Sequence, residues 1–477
     1  MSEAAPTKGK NLNFLQKLTY TIGNFGVSYG PATFAFLAYF YYGRETESGE
    51  KIVYVSIATY SIIWAVTNWI NAFTDPIVGY LSDRTRHRWG RRKPWVIVGA
   101  PLLALCFFFC WSPVTDTPSF ANGLVLFLSL LGFWLFFTVV VAPYLSLLPE
   151  ITPYDNERVK LSAMMSLFGD VLGTLSGNLL PVLVAAVGAI LIFSSGWQSM
   201  AFVGAMIIVV FFLICVLLVK ETYRPPPESE EEKQKGIFKK AMGEFGSTFK
   251  NPAFRPYLVG VFFYRMSIMM ILTITPFIAT KILAAYPATE TDLSILSVLP
   301  GVMGDTGVPD WEQAAGYLMM LVLLGALVFF VPVSLLAGKT GKRILFIISL
   351  FWLGVILILM ATVGSWPFLS PLGQGMALFL LAAIPVAIAL VVMRPLLADV
   401  IDEDEKLTKK RREGVYNGME GLIMKLAAGL GPLVVGILFE VFGNTVENPT
   451  GIRICGPVSG VCLLVAAYAF TKYPIKK

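Results

Sequence analysis

The chain has 477 residues, of which 56% are hydrophobic and 14% are charged, and its mean hydropathy is +0.70. Soluble globular chains carry about 25% charged residues, so this composition excludes a cytosolic enzyme, a nucleic-acid-binding protein and a disordered protein. The 37 Lys and Arg residues outnumber the 31 Asp and Glu residues, which gives a net charge of +6. We expect a multi-pass protein that lies in the lipid bilayer.

Twelve apolar runs in the sequence are long enough to cross a bilayer, which takes about 20 residues as a helix. The first six are predicted near residues 17–42, 52–82, 94–112, 120–149, 158–192 and 198–219. The other six are predicted near residues 257–284, 313–338, 343–363, 374–401, 414–442 and 452–472. We number them spans 1 to 12 and expect each to be helical, because unpaired backbone groups are not tolerated in lipid.

The basic residues are distributed unevenly between the two ends of these spans. Of the 37 Lys and Arg residues, only Arg44, Lys51, Lys281 and Arg453 fall at the end reached by odd-numbered spans. Most of the others lie in the two termini and in the connections that follow even-numbered spans. The positive-inside rule assigns that side to the cytoplasm. The sequence therefore predicts an inner-membrane protein with cytoplasmic N- and C-termini.

The predicted spans form two halves, an N-terminal bundle of residues 1–219 and a C-terminal bundle of residues 257–477. The linker 220–256 opens with three prolines and an acidic run, and its later apolar residues predict a short amphipathic helix at the membrane surface. This helix is interpreted either as a latch between the halves or as a tether. A weak repeat, residues 79–84 and 334–339, follows the second span of each half. Paired six-helix halves are a known transporter construction.

Four short motifs and one lysine carry a family resemblance. The motifs are NAFTDPIVG at 71–79, RWGRRKPW at 88–95, PYLSLLPEIT at 143–152 and LADVID at 397–402, and the lysine is Lys425. With them the sequence resembles the glycoside–pentoside–hexuronide:cation symporters, the melibiose-carrier family of the major facilitator superfamily. The resemblance implies an all-α membrane protein with twelve transmembrane helices in two pseudo-symmetric six-helix bundles. It also implies that the bundles rock about a central cavity.

Asp75 is the main candidate for binding the coupling ion. It lies seven residues before Ser82 at the end of span 2, which is roughly 10 Å inside the membrane. Asn71 shares its helix face and Thr74 is adjacent, so a carboxylate, an amide oxygen and a hydroxyl come together as ligands for a small cation. The carboxylate is also able to hold a proton. The alternative is that Asp75 anchors the following loop by pairing with its arginines.

The resemblance implies that Asn71, Thr74, Asp75 and Thr138 match the family's cation-site positions. Well-studied members have a second carboxylate where this chain has Asn71, so we favour H⁺ as the coupling ion and keep Na⁺ at Asp75 as the alternative. Family members also carry a lysine at the position of Lys425. We expect Lys425 to neutralise Asp75 in one state and to release it in another. A permanent structural pair and local pairing with Glu420 are the alternatives.

Six residues are predicted to contact the substrate: Asp170, Ser28, Tyr144, Arg265, Arg394 and Lys425. Pairing of Asp170 with an arginine is expected either to bind substrate or to fix helix packing, and Arg394 fits a gate equally well. The resemblance implies acidic sugar ligands at the positions of Ser28 and Val141, and neither residue is charged. The family resemblance therefore favours symport more strongly than it favours any named sugar.

A cytoplasmic gate is predicted in the loop after span 2, and its residues are Asp83, Arg84, Arg91 and Arg92. These residues are interpreted as a latch that closes the outward-facing state. The alternative is a solvated loop that is basic only because it faces the cytoplasm.

The sequence as a whole predicts a monomeric, cation-coupled symporter of a small polar solute, with a sugar or glycoside favoured and H⁺ or Na⁺ as the coupling ion. We expect no cofactor, no nucleic-acid partner and no enzyme activity, because no clustered nucleophile, base or metal-ligand set is visible. Two alternatives remain. One is a lysolipid carrier of the same fold, and the other is a transporter-like receptor that does not translocate its ligand.

Overall fold

The structure is a computed structural model. It describes residues 13–45, 50–85, 87–151, 155–188, 193, 195–218, 246, 248–303, 307–409 and 412–474. Its regular elements in those ranges are helices, accompanied by two isolated β-bridges, Glu45–Lys51 and Met303–Pro309. The helices occupy all twelve predicted spans.

Eight spans contain one main helix each: Lys93–Phe109, Phe120–Ser146, Gly196–Leu218, Trp311–Thr340, Lys342–Leu359, Pro371–Thr408, Glu413–Phe442 and Thr450–Thr471, which are spans 3, 4, 6 and 8 to 12. Spans 1 and 2 are built from pieces: Phe14–Thr21, Gly23–Thr33, Phe34–Phe36 and Tyr39–Gly43, then Ile57–Ala72 and Thr74–Arg84. Spans 5 and 7 are also divided: Asp155–Ser166, Leu167–Gly173, Thr174–Asn178 and Leu180–Gly188, then Phe254–Phe277 and Ile278–Leu283. In the described part, eight helices have the length and hydropathy of a membrane span, and the interrupted spans 1, 2 and 5 are not among them.

The interruption of span 2 has a cause in the sequence. The first helix of this span ends at Ala72 and the second begins at Thr74. In a continuous helix the Ala72 carbonyl would accept the N–H of residue 76, which is Pro76 and has none. The helix is therefore interrupted at Phe73, next to the candidate ion-binding residues. The predicted span 2 is continuous, so this interruption is a difference between prediction and structure.

The twelve spans pack as two halves. Within the described residues, spans 1 to 6 pack mainly on each other, and so do spans 7 to 12. The halves meet where span 2 lies along span 11 and where span 5 lies along span 8. At the second contact, a Cβ on Gly316 of span 8 would lie 2.9 Å from the carbonyl oxygen of Asn178 in span 5, so a small residue is needed for this close approach.

The predicted linker lies mostly outside the described residues, which omit 219–245 and 247. The boundaries at 219–220 and 256–257, the amphipathic helix and its two interpretations therefore stay predictions. A short helix that the sequence analysis does not predict, Glu290–Ser297, lies between spans 7 and 8. Its start carries a capping box, in which Thr289 and Asp292 exchange side-chain-to-backbone hydrogen bonds.

Candidate functional site

The five residues predicted to bind the coupling ion come together from spans 2, 4 and 11. Lys425 Nζ lies 2.6 Å from Asp75 Oδ2 and donates to the carbonyl oxygen of Asn71 at 3.1 Å. The Thr138 hydroxyl lies 2.8 Å from Asp75 Oδ1 and 3.2 Å from Asn71 Oδ1. The Thr74 hydroxyl lies 2.8 Å from the Asn71 carbonyl oxygen and 2.9 Å from its amide oxygen.

The cluster combines buried and partly exposed residues. Asn71 and Thr138 are both 3% exposed, whereas the side chains of Asp75 and Lys425 are 49% and 22% exposed. A charge near the bilayer centre costs about 2.5–3.5 kcal/mol on insertion scales, so each member of the pair compensates the other. The ion pair also joins the two halves, because Asp75 belongs to span 2 and Lys425 to span 11.

The chemistry of the cluster suits a single positive charge. One carboxylate, one amide oxygen and two hydroxyl oxygens are connected by hydrogen bonds, and such hard oxygen atoms suit Na⁺ or a proton on the carboxyl group. Each threonine hydroxyl has one hydrogen, so it donates to only one of its two acceptors at a time and is free to turn. In this conformation the positive charge beside Asp75 is the Lys425 ammonium.

The alternative partners for these charges have different contacts. Among the described residues, the ion-pair partner of Asp75 is Lys425 and not an arginine of the loop. Glu420 does not contact Lys425 but accepts a short hydrogen bond from the Tyr257 hydroxyl. It also lies 4.0 Å from Nη1 of Arg394, whose side chain is 82% exposed. The protein therefore leaves most of the Arg394 side chain uncovered, and both predicted roles, gate and ligand residue, stay predictions.

The other predicted substrate residues are not joined in one cluster. Asp170 is exposed in the π-helical segment Leu167–Gly173 of span 5, and Arg265 is half-buried in span 7. Within the described ranges neither of them forms an ion pair, so the predicted pairing of Asp170 with an arginine is not found there. Ser28 is half-buried and faces span 5, where its Cβ would lie 3.2 Å from a Cβ on Gly173.

Tyr144, one of the predicted substrate contacts, has a packing role in this conformation, and its contact with a substrate stays a prediction. Its side chain is fully buried, and its hydroxyl donates to the Tyr20 carbonyl oxygen at 3.1 Å. The Tyr20 hydroxyl in turn donates to the Tyr144 carbonyl oxygen at 3.0 Å. These reciprocal hydrogen bonds join spans 1 and 4.

The predicted cytoplasmic gate is described only in part. The backbone of Asp83 and Arg84 ends the second helix of span 2, but their side chains lie outside the described residues. Arg91 and Arg92 are half-buried immediately before span 3. The latch and the solvated loop therefore both stay predictions.

A set of contacts that was not predicted from the sequence joins the halves at the end opposite the described termini. The Tyr39 hydroxyl donates to Glu312 Oε1 at 3.1 Å, and Arg44 Nε lies 3.9 Å from the same oxygen. Lys281, which is 2% exposed, forms an ion pair with Glu45. These contacts hold the two halves together at this end. Arg44 and Lys281 are among the four basic residues at the end of the spans that has few Lys and Arg residues. A basic residue in such a position is the feature of the sequence that could have indicated an ion pair here.

We expect Lys281→Glu to open this end of the molecule. The substitution places two carboxylates together where one ion pair joined the halves, and such like-charge contacts cost several kcal/mol when they are desolvated. Hydrogen–deuterium exchange of the peptides that cover residues 39–45 and 277–283 should become at least about fivefold faster. The double variant Lys281→Glu with Glu45→Lys should return exchange to the parent rate. Fast exchange in the double variant would contradict the ion-pair explanation.

Comparison with known proteins gives matches along most of the chain. The family model described as MFS/sugar transport protein matches residues 19–311 and 306–476. An uncharacterized symporter, sll1374 of Synechocystis, is 26% identical over 92% of this chain and 88% of its own length. The sodium-dependent lysophosphatidylcholine symporter 1 of Mus musculus is 30% identical over 36% of this chain and 32% of its own length.

A solved structure shows the same fold. A mutant of the nucleoside transporter NupG superposes with a TM-score of 0.65 over 96% of this chain and 100% of its own, at 13% sequence identity. At that identity the likeness concerns the fold alone. It agrees with two six-helix bundles of the major facilitator type, as the sequence predicts.

Proposed function

The chain belongs to the MFS/sugar transport protein family, and from that membership we propose that it is a cation-coupled symporter of a small polar solute, with sugars or glycosides as the favoured class. Its relatives and structural neighbours are transporters, so the protein is a membrane transporter and not an enzyme. The observation that supports coupling is the ion pair of Asp75 and Lys425 between the two halves.

The ion pair offers a direct route to coupling. A proton or Na⁺ that binds at Asp75 neutralises the carboxylate and thereby removes the electrostatic attraction that holds Lys425 beside it. Lys425 is then free to donate to a substrate oxygen, and the contact between spans 2 and 11 weakens at this level. Binding of the ion therefore changes the relative stability of the two orientations of the bundles, as coupling requires.

Protons are the favoured coupling ion, because the cluster holds one carboxylate. Binding of Na⁺ at the site costs free energy, because the ion loses its hydration. Asn71 contributes only a neutral oxygen, whereas a second carboxylate would offset more of that cost. We therefore expect Asn71→Asp to increase the stimulation of transport by Na⁺ by about tenfold, which corresponds to 1.4 kcal/mol of binding free energy. The measurement is uptake as a function of Na⁺ at constant pH.

The matched control for this prediction is the double variant Asn71→Asp with Asp75→Asn. It has the same net charge as the parent chain but moves the carboxylate one helical turn along span 2. The explanation is wrong if Na⁺ stimulates the double variant as strongly as it stimulates Asn71→Asp. The position of a single carboxylate, and not the number of carboxylates, would then determine the response to Na⁺.

The second candidate substrate is a lysolipid. The similarity to a lysophosphatidylcholine symporter favours it, as does the absence of acidic residues at Ser28 and Val141. A lysolipid carrier also leaves the proposed ion-coupling mechanism unchanged, because Lys425 is the one residue of the ion cluster that is also proposed to contact the solute.

Uptake by purified protein in proteoliposomes tests the proposed function. Na⁺ and pH gradients are imposed separately, and a panel of radiolabelled sugars, glycosides and lysolipids is supplied. We expect one of the sugars or glycosides to accumulate against its gradient when an ion gradient is present. Counterflow without any response to the gradients would contradict symport, and accumulation of lysolipids alone would replace the favoured substrate class.

We also propose that the protein works as a monomer in the inner membrane with cytoplasmic termini. The distribution of Lys and Arg supports this orientation, because only four of the 37 lie at the other end. Protease or thiol-reagent access to each terminus in sealed, oriented vesicles tests it.

A further inference from the structure

Two tryptophans of span 2 hold the backbone of span 11 just beyond Lys425. Trp69 Nε1 donates to the carbonyl oxygen of Leu426 at 3.2 Å. Trp64 Nε1 donates to the carbonyl oxygen of Ala428 at 3.0 Å. These are side-chain-to-backbone hydrogen bonds between the two halves of the molecule, and they lie one and three residues from the lysine that pairs with Asp75.

The bond from Trp64 has a local structural explanation. The Ala428 carbonyl would normally accept the N–H of residue 432, which is Pro432 and has none. The indole of Trp64, which is 6% exposed, supplies the missing donor. The bond from Trp69 has no such explanation, because residue 430 is Leu430 and has an N–H of its own. The bond from Trp69 therefore has its structural effect through the segment of span 11 that it holds, next to Lys425.

The packing around Trp69 is too close for any side chain on the facing residue. A Cβ on Gly429 would lie 2.6 Å from Trp69 Nε1 and 2.9 Å from its Cδ1. Glycine at 429 is therefore what lets the indole reach the Leu426 carbonyl. Since Leu426 is the next residue after Lys425, the bond fixes the height and rotation of the lysine relative to span 2, on which Asp75 lies six residues after Trp69.

We propose that Trp69 is a positioning residue of the coupling site: its indole holds span 11 in the register in which Lys425 neutralises Asp75. This inference rests on the proposed function. Lys425 and the coupling cation compete for the same carboxylate, so a better-positioned lysine weakens cation binding. Trp69 thereby sets how strongly the cation must compete for Asp75.

The proposal predicts a change that a merely structural tryptophan would not produce. Trp69→Phe keeps the ring and removes the donor, which loosens Lys425 and makes cation binding tighter. A net hydrogen bond contributes about 0.5–1.5 kcal/mol, so the cation concentration for half-saturation should fall by a few-fold to about tenfold. Loss of a purely structural contact would lower stability and leave that concentration unchanged.

Thermal unfolding of the purified full-length protein measures cation binding without a known substrate, because a ligand that binds the folded state raises Tm according to its concentration. Tm is followed by circular dichroism as a function of Na⁺ at constant pH, and as a function of pH without Na⁺. The part of each response that Asp75→Asn abolishes belongs to the site. Gly429→Ala, which pushes the indole away, should shift half-saturation in the same direction as Trp69→Phe.

The control variant is Trp366→Phe, which also loses an indole hydrogen bond, in this case the 2.9 Å bond to the Thr362 hydroxyl in an exposed loop. It should not shift the cation response. The decisive comparison is Trp69→Phe in the Lys425→Gln background, where the lysine to be positioned is gone. We expect no further shift there.

The results with these variants distinguish competition between Lys425 and the cation from the positioning role of Trp69. If Lys425→Gln itself leaves the cation response unchanged, the competition in the proposed function is wrong. If Lys425→Gln shifts the response and Trp69→Phe does not, or if Trp69→Phe shifts it equally in both backgrounds, the positioning role of Trp69 is wrong while the proposed function stands.

Discussion

Concentrative uptake should be lost in Asp75→Asn. The amide keeps an oxygen that accepts from Thr138 but neither carries a charge nor takes up a proton, so ion binding no longer responds to the gradient. Solute accumulation driven by whichever ion gradient, Na⁺ or pH, supports uptake by the parent protein should fall by about 5–150-fold. This range corresponds to about 1–3 kcal/mol of coupling free energy. Counterflow, which needs no gradient, should persist, and comparing the two assays in proteoliposomes is the measurement.

Glu403→Gln is the matched control for this variant. It also removes one carboxylate from an ion pair, because Glu403 Oε2 lies 3.1 Å from Lys406 Nζ, but that pair lies at the exposed end of span 10. Exposed pairs contribute about 0–1 kcal/mol, so uptake should stay near the parent rate. Full gradient-driven accumulation in Asp75→Asn would rule out the coupling role of this carboxylate.

The local part of the candidate site could be predicted from the sequence. Asn71, Thr74 and Asp75 are three and four residues apart, so helical periodicity alone places them together. Thr138 is 63 residues from Asp75, and Lys425 is 354 residues from the Asn71 carbonyl that it contacts. No periodic pattern relates positions that far apart. These two residues entered the prediction through the family resemblance.

Features that depend on how the halves meet could not be predicted from the sequence. The ion pair of Lys281 with Glu45 joins residues 236 positions apart, and neither lies in a recognisable motif. Tyr144 belongs to a motif that points to function, yet its hydroxyl is used in packing against Tyr20. Both results follow from tertiary contacts, which decide whether a polar group faces a cavity or another helix.

The interruption in span 2 shows where local and tertiary information meet. The sequence contains its cause, since Pro76 cannot donate to the Ala72 carbonyl oxygen. It does not show which donors reach the neighbouring Asn71 carbonyl oxygen, which accepts from both Thr74 and Lys425. Tertiary contacts therefore decide that this backbone acceptor belongs to the ion cluster.

Lys425→Gln should separate ion binding from ion release. Without the ammonium, Asp75 has no internal cation to replace the one that it carries, so the ion binds more tightly and leaves more slowly. We expect net accumulation to fall by at least about tenfold, while the cation concentration for half-maximal counterflow falls as well. A variant whose lysine merely stabilised the fold would lose activity in both assays and keep its cation dependence.

Two further variants test whether the competing charge is what matters. Lys425→Arg keeps the positive charge and should retain part of the gradient response. The double variant Asp75→Asn with Lys425→Gln removes both charges, so it should recover the stability that either single variant loses, by about 1 kcal/mol for a partly exposed pair. It should still fail to accumulate solute. Recovery of accumulation in this neutral pair would contradict the proposal, because gradient-driven transport would then proceed with no charged group at the site to bind or release an ion. The two charges of the parent protein would hold the halves together without coupling them to an ion.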